Sequence, residues 1–146
     1  MNASIRSFTT TDPRATLKEV ATLMREQDIG NVLIMDGDTL SGIITDRDLV
    51  IRCMAEHKDY HACSARDLMT PSPRTVRDQD GLFDCINAMR DSQVRLIPVV
   101  DSQGKALGIV SFGDILGILS KEFGNLVENT THPLETEKQP KKALAA

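Results

Sequence analysis

The chain contains itself twice. The apolar positions Leu17, Val20 and Met24 and the run Ile34-Met35-Asp36 recur as Leu82, Cys85 and Met89 and as Val99-Val100-Asp101, an offset of 65 residues. One extra turn residue then moves the offset to 66, so that Gly42-Ile43-Ile44-Thr45-Asp46-Arg47-Asp48-Leu49 matches Gly108-Ile109-Val110-Ser111-Phe112-Gly113-Asp114-Ile115. A repeat of this kind makes each copy one unit that cannot bury its apolar face alone. In a chain of 146 residues each copy is marginal by itself, and the two are expected to pack against each other. A hydroxyl followed three residues later by Asp stands at the same place in both copies: Thr45 with Asp48, and Ser111 with Asp114.

Each copy reads as β-α-β-β-α, an α+β arrangement. An extended lead-in is expected around Ser7 to Thr11 in the first copy and Arg74 to Arg77 in the second. Leu17, Val20, Ala21 and Met24 then fall on one helical face behind the capping box Thr16-Leu17-Lys18-Glu19. Leu82, Cys85, Ile86 and Met89 repeat that face, with Asp80 as the expected N-cap. Two short apolar runs follow in each copy, joined by Asp36-Gly37-Asp38 or by Asp101-Ser102-Gln103-Gly104, which is hairpin chemistry. A second helix closes each copy, about Arg47 to His57 and about Gly113 to Val127. The division expected is residues 5–58, a linker 59–73 with a short helix, residues 74–128, and a polar tail 129–146 expected to be disordered.

Composition narrows the function classes. Hydrophobic residues make up 40% and charged residues 26%, as in an ordinary globular chain. A formal net charge of -4 with no basic block argues against binding a nucleic-acid backbone. No apolar run is long enough to span a bilayer and the first residues lack a signal-peptide core, so the expected location is the cytoplasm, with no membrane partner. Cys53, Cys63 and Cys85 are an odd, scattered set, unlike a secreted disulfide framework.

The order of helix, Pro-containing strand, Asp turn and then Gly-Ile-Ile-Thr-Asp-Arg-Asp-Leu resembles the CBS domain, named for cystathionine beta-synthase. The linker Ala65-Arg66-Asp67-Leu68-Met69-Thr70-Pro71 resembles that family's entry into a second copy, and Ile97-Pro98-Val99-Val100-Asp101 resembles its middle strand. The resemblance covers about Ser7 to Leu119. It implies a pair of CBS domains packed with pseudo-two-fold symmetry, a homodimer, and clefts for an adenosine-containing effector: AMP, ADP, ATP, S-adenosylmethionine or NAD. No cofactor is required. In such clefts Thr45 and Asp48, or Ser111 and Asp114, hold the ribose and phosphate. A carboxylate only accepts hydrogen bonds and can receive both ribose hydroxyls. A hydrogen bond to a charged group contributes about 1.5–3 kcal/mol, so loss of either Asp should weaken binding about 10- to 100-fold. The same residues read equally well as helix caps, Thr or Ser at the N-cap and Asp in the first turn, and both roles can coexist.

The adenine is expected on apolar surface near the lead-ins, at Thr10, Thr11, Thr75 and Val76, with Pro98 nearby. Arg95 and Arg47 are the candidate phosphate contacts. Arg95 departs from the family pattern, in which the basic residue lies two before the proline, a place Leu96 holds here; one step along a strand reverses a side chain. Gly30 and Gly113 stand where Arg95 and Arg47 stand in the other copy, so the clefts are not equivalent.

Two other functions compete with this one. Cys53, His57, His61 and Cys63 lie within eleven positions and carry zinc-ligand chemistry, though C-x₃-H-x₃-H-x-C is not a finger spacing. They are the basis of an alternative metal- or redox-responsive module; a third alternative is a scaffold whose clefts stay empty. No catalytic set appears, and Asp46 and Asp48, two apart on a helix, do not share a face. The expectation is a regulatory, energy-sensing module and not an enzyme.

Overall fold

The computed structural model describes residues 5–131. The first helix, α1 (Leu17–Gln27), starts as its sequence predicts: the Thr16 hydroxyl accepts from the Glu19 N–H at 3.2 Å, and the Glu19 carboxylate accepts from the Thr16 N–H at 2.7 Å. It ends at Asp28, which takes a left-handed conformation with φ 52°. Strand β1 (Thr10–Thr11) lies parallel to β2 (Asn31–Asp36), and β2 turns back antiparallel into β3 (Thr39–Thr45). The hairpin turn needs Gly37, at φ 60°. After β3 the chain enters α2 (Asp46–Asp48), which continues as a π-helical segment Leu49–Met54 closed by the bond from Ala55 N–H to the Val50 carbonyl. The expected helix to His57 therefore stops short, and His57 itself sits at φ 55°.

The second copy repeats this. β5 (Val76–Arg77) runs parallel to β6 (Leu96–Val100), which pairs antiparallel with β7 (Ala106–Ser111). Its helices are α4 (Leu82–Ser92) and α5 (Phe112–Thr131). The N-cap of α4 is Gly81 and not Asp80. The Asp80 carboxylate is taken one turn earlier, accepting from the Arg77 N–H at 2.8 Å, and Asp84 accepts from Gly81 instead. Helix α5 runs past the expected start of the tail at 129, with the Thr130 hydroxyl bonded to the Leu126 and Val127 carbonyls at 2.9 Å. The expectation for residues 132–146 lies outside the described residues.

The two copies are tied by exchanged lead-ins. Between them, α3 (Ala65–Leu68) leads into β4 (Thr70–Pro71), and β4 joins the first sheet, with Thr70 opposite Ile43 and Pro71 opposite Gly42. In return, Arg6 pairs with Ile109 of the second sheet: Arg6 N–H donates to the Ile109 carbonyl at 2.9 Å, and Ile109 N–H to the Arg6 carbonyl at 3.3 Å. Ile5 packs on the core of copy two and Met69 on that of copy one. Each crossing needs a glycine beneath it. A Cβ on Gly108 would meet the Arg6 carbonyl oxygen at 2.6 Å, and one on Gly42 would run into the Met69 side chain.

Three apolar clusters result. Leu17, Val20, Val32, Ile34 and Ile44 centre the first, and Cys85, Ile97, Val99, Val110 and Ile115 the second. The opposite sheet faces meet in the third, where Leu33, Ile43, Ala106 and Ile109 are buried, flanked by Phe8, Met35, Leu40 and Leu96. Tandem β-α-β-β-α units burying one face inside and one against each other are the arrangement the repeat predicts. Substituting Gly108→Ala should destabilise the fold by about 1–3 kcal/mol, since fixed backbone must move. Gly117→Ala, where an added Cβ meets nothing within 4 Å on α5, should stabilise by about 1 kcal/mol. Urea denaturation of the two variants checks the opposite signs.

Candidate functional site

Both hydroxyl-x-x-Asp pairs sit where a strand ends and a helix begins, and both form complete capping boxes. In copy one the Thr45 N–H and hydroxyl donate to Asp48 Oδ2 at 2.9 and 2.8 Å, and the Asp48 N–H donates back to Thr45 Oγ1 at 3.2 Å. In copy two the Ser111 N–H and hydroxyl donate to Asp114 Oδ2 at 2.8 and 2.6 Å, and the Asp114 N–H donates to Ser111 Oγ at 3.2 Å. The capping reading is thus realised in both copies, and a cap of this kind contributes about 1 kcal/mol. It uses only one oxygen of each carboxylate. The second oxygen, Oδ1, decides what else each Asp can hold.

The two Oδ1 atoms have different partners. Asp48 Oδ1 lies 3.2 Å from Arg52 Nη2, one turn along the same helical segment. Arg52 is anchored away from it as well, donating through Nη1 to the Leu68 carbonyl at 3.0 Å and to Thr70 Oγ1 at 3.1 Å. Asp114 Oδ1 instead receives Arg6, from the exchanged lead-in, with Nε at 2.6 Å and Nη2 at 2.5 Å. Arg6 is largely exposed while the Asp114 side chain is 11% exposed. Burial pushes the Asp114 carboxyl up, but the Ser111 side-chain and backbone hydrogen bonds and the Arg6 guanidinium outweigh it and leave it below its ordinary value.

A cleft of about 410 Å³ opens beside this pair, lined by Arg6, Ser7, Asp28, Ile29, Gly30, Asn31 and Ile109. It lies where the lead-in, the α1–β2 loop and β7 converge. The backbone around it is symmetric between the copies: Asp46 N–H donates to the Gly30 carbonyl at 3.0 Å, and Phe112 N–H donates to the Arg95 carbonyl at 2.8 Å. Only the side chains differ. Gly30 stands where Arg95 stands in the other copy, and the Asp46 carboxylate would lie 3.3 Å from a Cβ at Gly30.

The remaining expected site residues separate into exposed and buried sets. Arg47 and Arg95 are exposed and their side chains have no partner among the described residues. Thr10 is exposed on β1 and Thr75 half-buried just before β5. Val76 is a core residue of copy two, so it offers a ligand its backbone only. Pro98 is fully buried, opposite Ile109 in the sheet, and its side chain does not face open solvent. Arg6, Arg52, Ser7 and Asp28 were not singled out by sequence. The i, i+4 spacing of Asp48 and Arg52 was a readable signal; Arg6 lies 108 residues from Asp114, and no local pattern joins them.

The Cys and His positions do not assemble. Among the described residues no group of three or more His, Cys, Asp or Glu is placed to hold a metal. Cys53 is buried and its thiol is pushed up by burial first and by the neighbouring Cys63 second. His61 stacks near Tyr60, ring centroids 4.5 Å apart, and both His57 and His61 are exposed. Among the described residues no helix is long and apolar enough to cross a membrane.

Comparison with known proteins agrees with the geometry. The CBS domain family model matches twice, over residues 3–55 and 65–121. An uncharacterized protein of Methanopyrus kandleri is 39% identical over 114 residues, which are 77% of this chain and 58% of that protein. Hypoxic response protein 1 of Mycobacterium tuberculosis is 37% identical over 116 residues, 79% of this chain and 78% of that one. Its crystal structure, described with two coordinated zinc ions, superposes with a TM-score of 0.69 at 34% identity, covering 77% of this chain and 92% of that one. The structure of CBSX2 in complex with AMP, a CBS-pair protein of Arabidopsis thaliana, gives a TM-score of 0.68 at 26% identity, covering 82% and 93%.

A carboxyl held below its unfolded value of about 3.9 stabilises the fold while ionised. For Asp114 that contribution is complete well above about pH 4 and is lost as pH falls through about 4 toward the folded value. Asp114→Asn should therefore lower the melting temperature near pH 7 and lose less further stability on acidification than the parent. Melting curves between about pH 3 and about pH 7 check this; parallel acid profiles for the two proteins would show that Asp114 carries no linkage.

Proposed function

Since the chain belongs to the CBS-domain family, we propose that it is a non-catalytic regulatory module of the cytoplasm that binds an adenosine-containing ligand between its two copies. The observation that carries this reading is the pair of half-used carboxylates, Asp48 and Asp114, each with Oδ2 committed to a helix cap and Oδ1 turned to a guanidinium. A ribose diol can take that second oxygen without undoing the cap. The AMP complex of CBSX2 supports the same ligand class. Energy sensing follows if AMP, ADP and ATP bind with different strength. A ligand alters a partner only by favouring one arrangement of the copies over another.

Calorimetric titration with AMP, ATP, S-adenosylmethionine and NAD tests the ligand class. One of them should bind, and Asp48→Ala or Asp114→Ala should weaken binding about 10- to 100-fold. No binding by any of the four returns the scaffold reading. The zinc reading is favoured by the two zinc ions in the hypoxic response protein structure and by the nearness of Cys53 and Cys63. It requires the His57 and His61 rings to move inward, and metal analysis of the purified chain decides it.

The homodimer belongs to the same proposal. Phe112, Leu116, Leu119, Phe123 and Leu126 form one exposed stripe along α5, and Val50, Ile51 and Met54 are exposed on the matching segment of copy one. A second copy of the chain would cover both. Light scattering should give twice the chain mass, and Leu116→Glu together with Phe123→Glu should return it to one.

A further inference from the structure

The second carboxylate oxygens of Asp48 and Asp114 have different partners, Arg52 from the same helical segment and Arg6 from the lead-in. Resting on the adenosyl-ligand reading above, we infer that Arg6 makes the copy-two cleft selective for adenosine ligands that carry a phosphate, while the copy-one cleft lacks this selection. Asp114 Oδ2 already accepts two hydrogen bonds from Ser111, so an incoming ribose must use Oδ1. Arg6 crowds that atom with both Nε and Nη2. A ligand therefore enters only by pushing the guanidinium aside.

Moving Arg6 off Oδ1 separates its guanidinium from the carboxylate oxygen that it contacts. Arg6 also lines the neighbouring cleft beside Gly30, where Asp28 is the acidic residue. Asp28 caps α1 in the left-handed conformation and is exposed to water. A phosphate on the ligand replaces the lost carboxylate, because a guanidinium binds phosphate with the same forked geometry. Neutral adenosine offers no such replacement, and the sulfonium of S-adenosylmethionine adds a second positive charge. The exchange is then carboxylate for phosphate at Arg6 and guanidinium for ribose at Asp114.

Copy one does not work this way. Arg52 touches Asp48 at 3.2 Å, and two further hydrogen bonds to Leu68 and Thr70 keep it in place when a ligand takes Oδ1. Arg52 needs no phosphate to compensate it. Arg6 is thus a selectivity residue supplied to copy two by the first copy's lead-in.

The test uses the full chain carrying Asp48→Ala, which silences the copy-one cleft, titrated with adenosine and with AMP. With Arg6 present, AMP should bind about tenfold or more tightly than adenosine. Arg6→Gln should bring the two within about threefold, with adenosine gaining and AMP losing affinity, while Arg6→Lys should keep most of the preference for AMP. Equal affinities in the chain that retains Arg6, which needs no further variant to fold, would overturn the inference. So would an unchanged AMP preference in Arg6→Gln. Binding confined to Asp48, and so silent in this background, would also overturn it and leave the regulatory reading standing. Absence of adenosyl binding in the parent chain removes that reading first and this one with it.

Discussion

The exchange of lead-ins between the two copies is the constraint on which the rest of the structure depends. Without it, β3 and β7 would each have a bare edge, and two units of this size would share only the small cluster around Leu33, Ile43, Ala106 and Ile109. With it, residues before each copy become part of the other copy's sheet, through Thr70–Ile43 and Arg6–Ile109. The glycine immediately ahead of the last apolar pair of the strand, present in both copies, serves the same crossing. Gly42 and Gly108 are flat places where a foreign segment crosses. The glycine that reads as part of a ligand motif is thus first a packing requirement.

That crossing also builds the site. It brings Arg6 and Ser7 to the cleft, sets Arg6 against Asp114, and lays Thr70 where it anchors Arg52. Each Asp then does two jobs on two oxygens. One oxygen holds the start of a helix, and the other meets a guanidinium. In copy two the helix so capped is α5, whose outer face is apolar and exposed. Capping occupies one carboxylate oxygen in each copy, so the proposed ligand contact would use the other.

Much of this was legible in the residues. Thr16 and Glu19 announce a capping box and form one, and the four long strands fall at the apolar runs that predict them. The repeat itself predicted that two faces must meet. What was not legible depends on contacts far apart in the chain or on competition between neighbours. Asp80 looks like the better cap of α4, yet its carboxylate is captured by the Arg77 N–H, and Gly81 takes the position. The helix after β3 switches to π-type bonding at Leu49, which no spacing of Val50, Ile51 and Met54 foretells. Val76 and Pro98 stand at family ligand positions but point into packed interior. Arg6 was invisible because its partner lies in the other copy, whereas Arg52, one turn from Asp48, was within reach of a simple helix rule.

The lead-in exchange has a consequence for how the chain comes off the ribosome. Arg6 is synthesised 108 residues before the Asp114 it binds, and the strand edge it completes does not exist until β7 has been made. The first copy can close its own hairpin and helix early, with Thr70 and Pro71 following shortly after. Residues 5 and 6 must wait, tethered to a folded unit, until the rest of the chain arrives. A long-range contact that can form only late therefore joins the earliest described residues to the last strand of the second sheet.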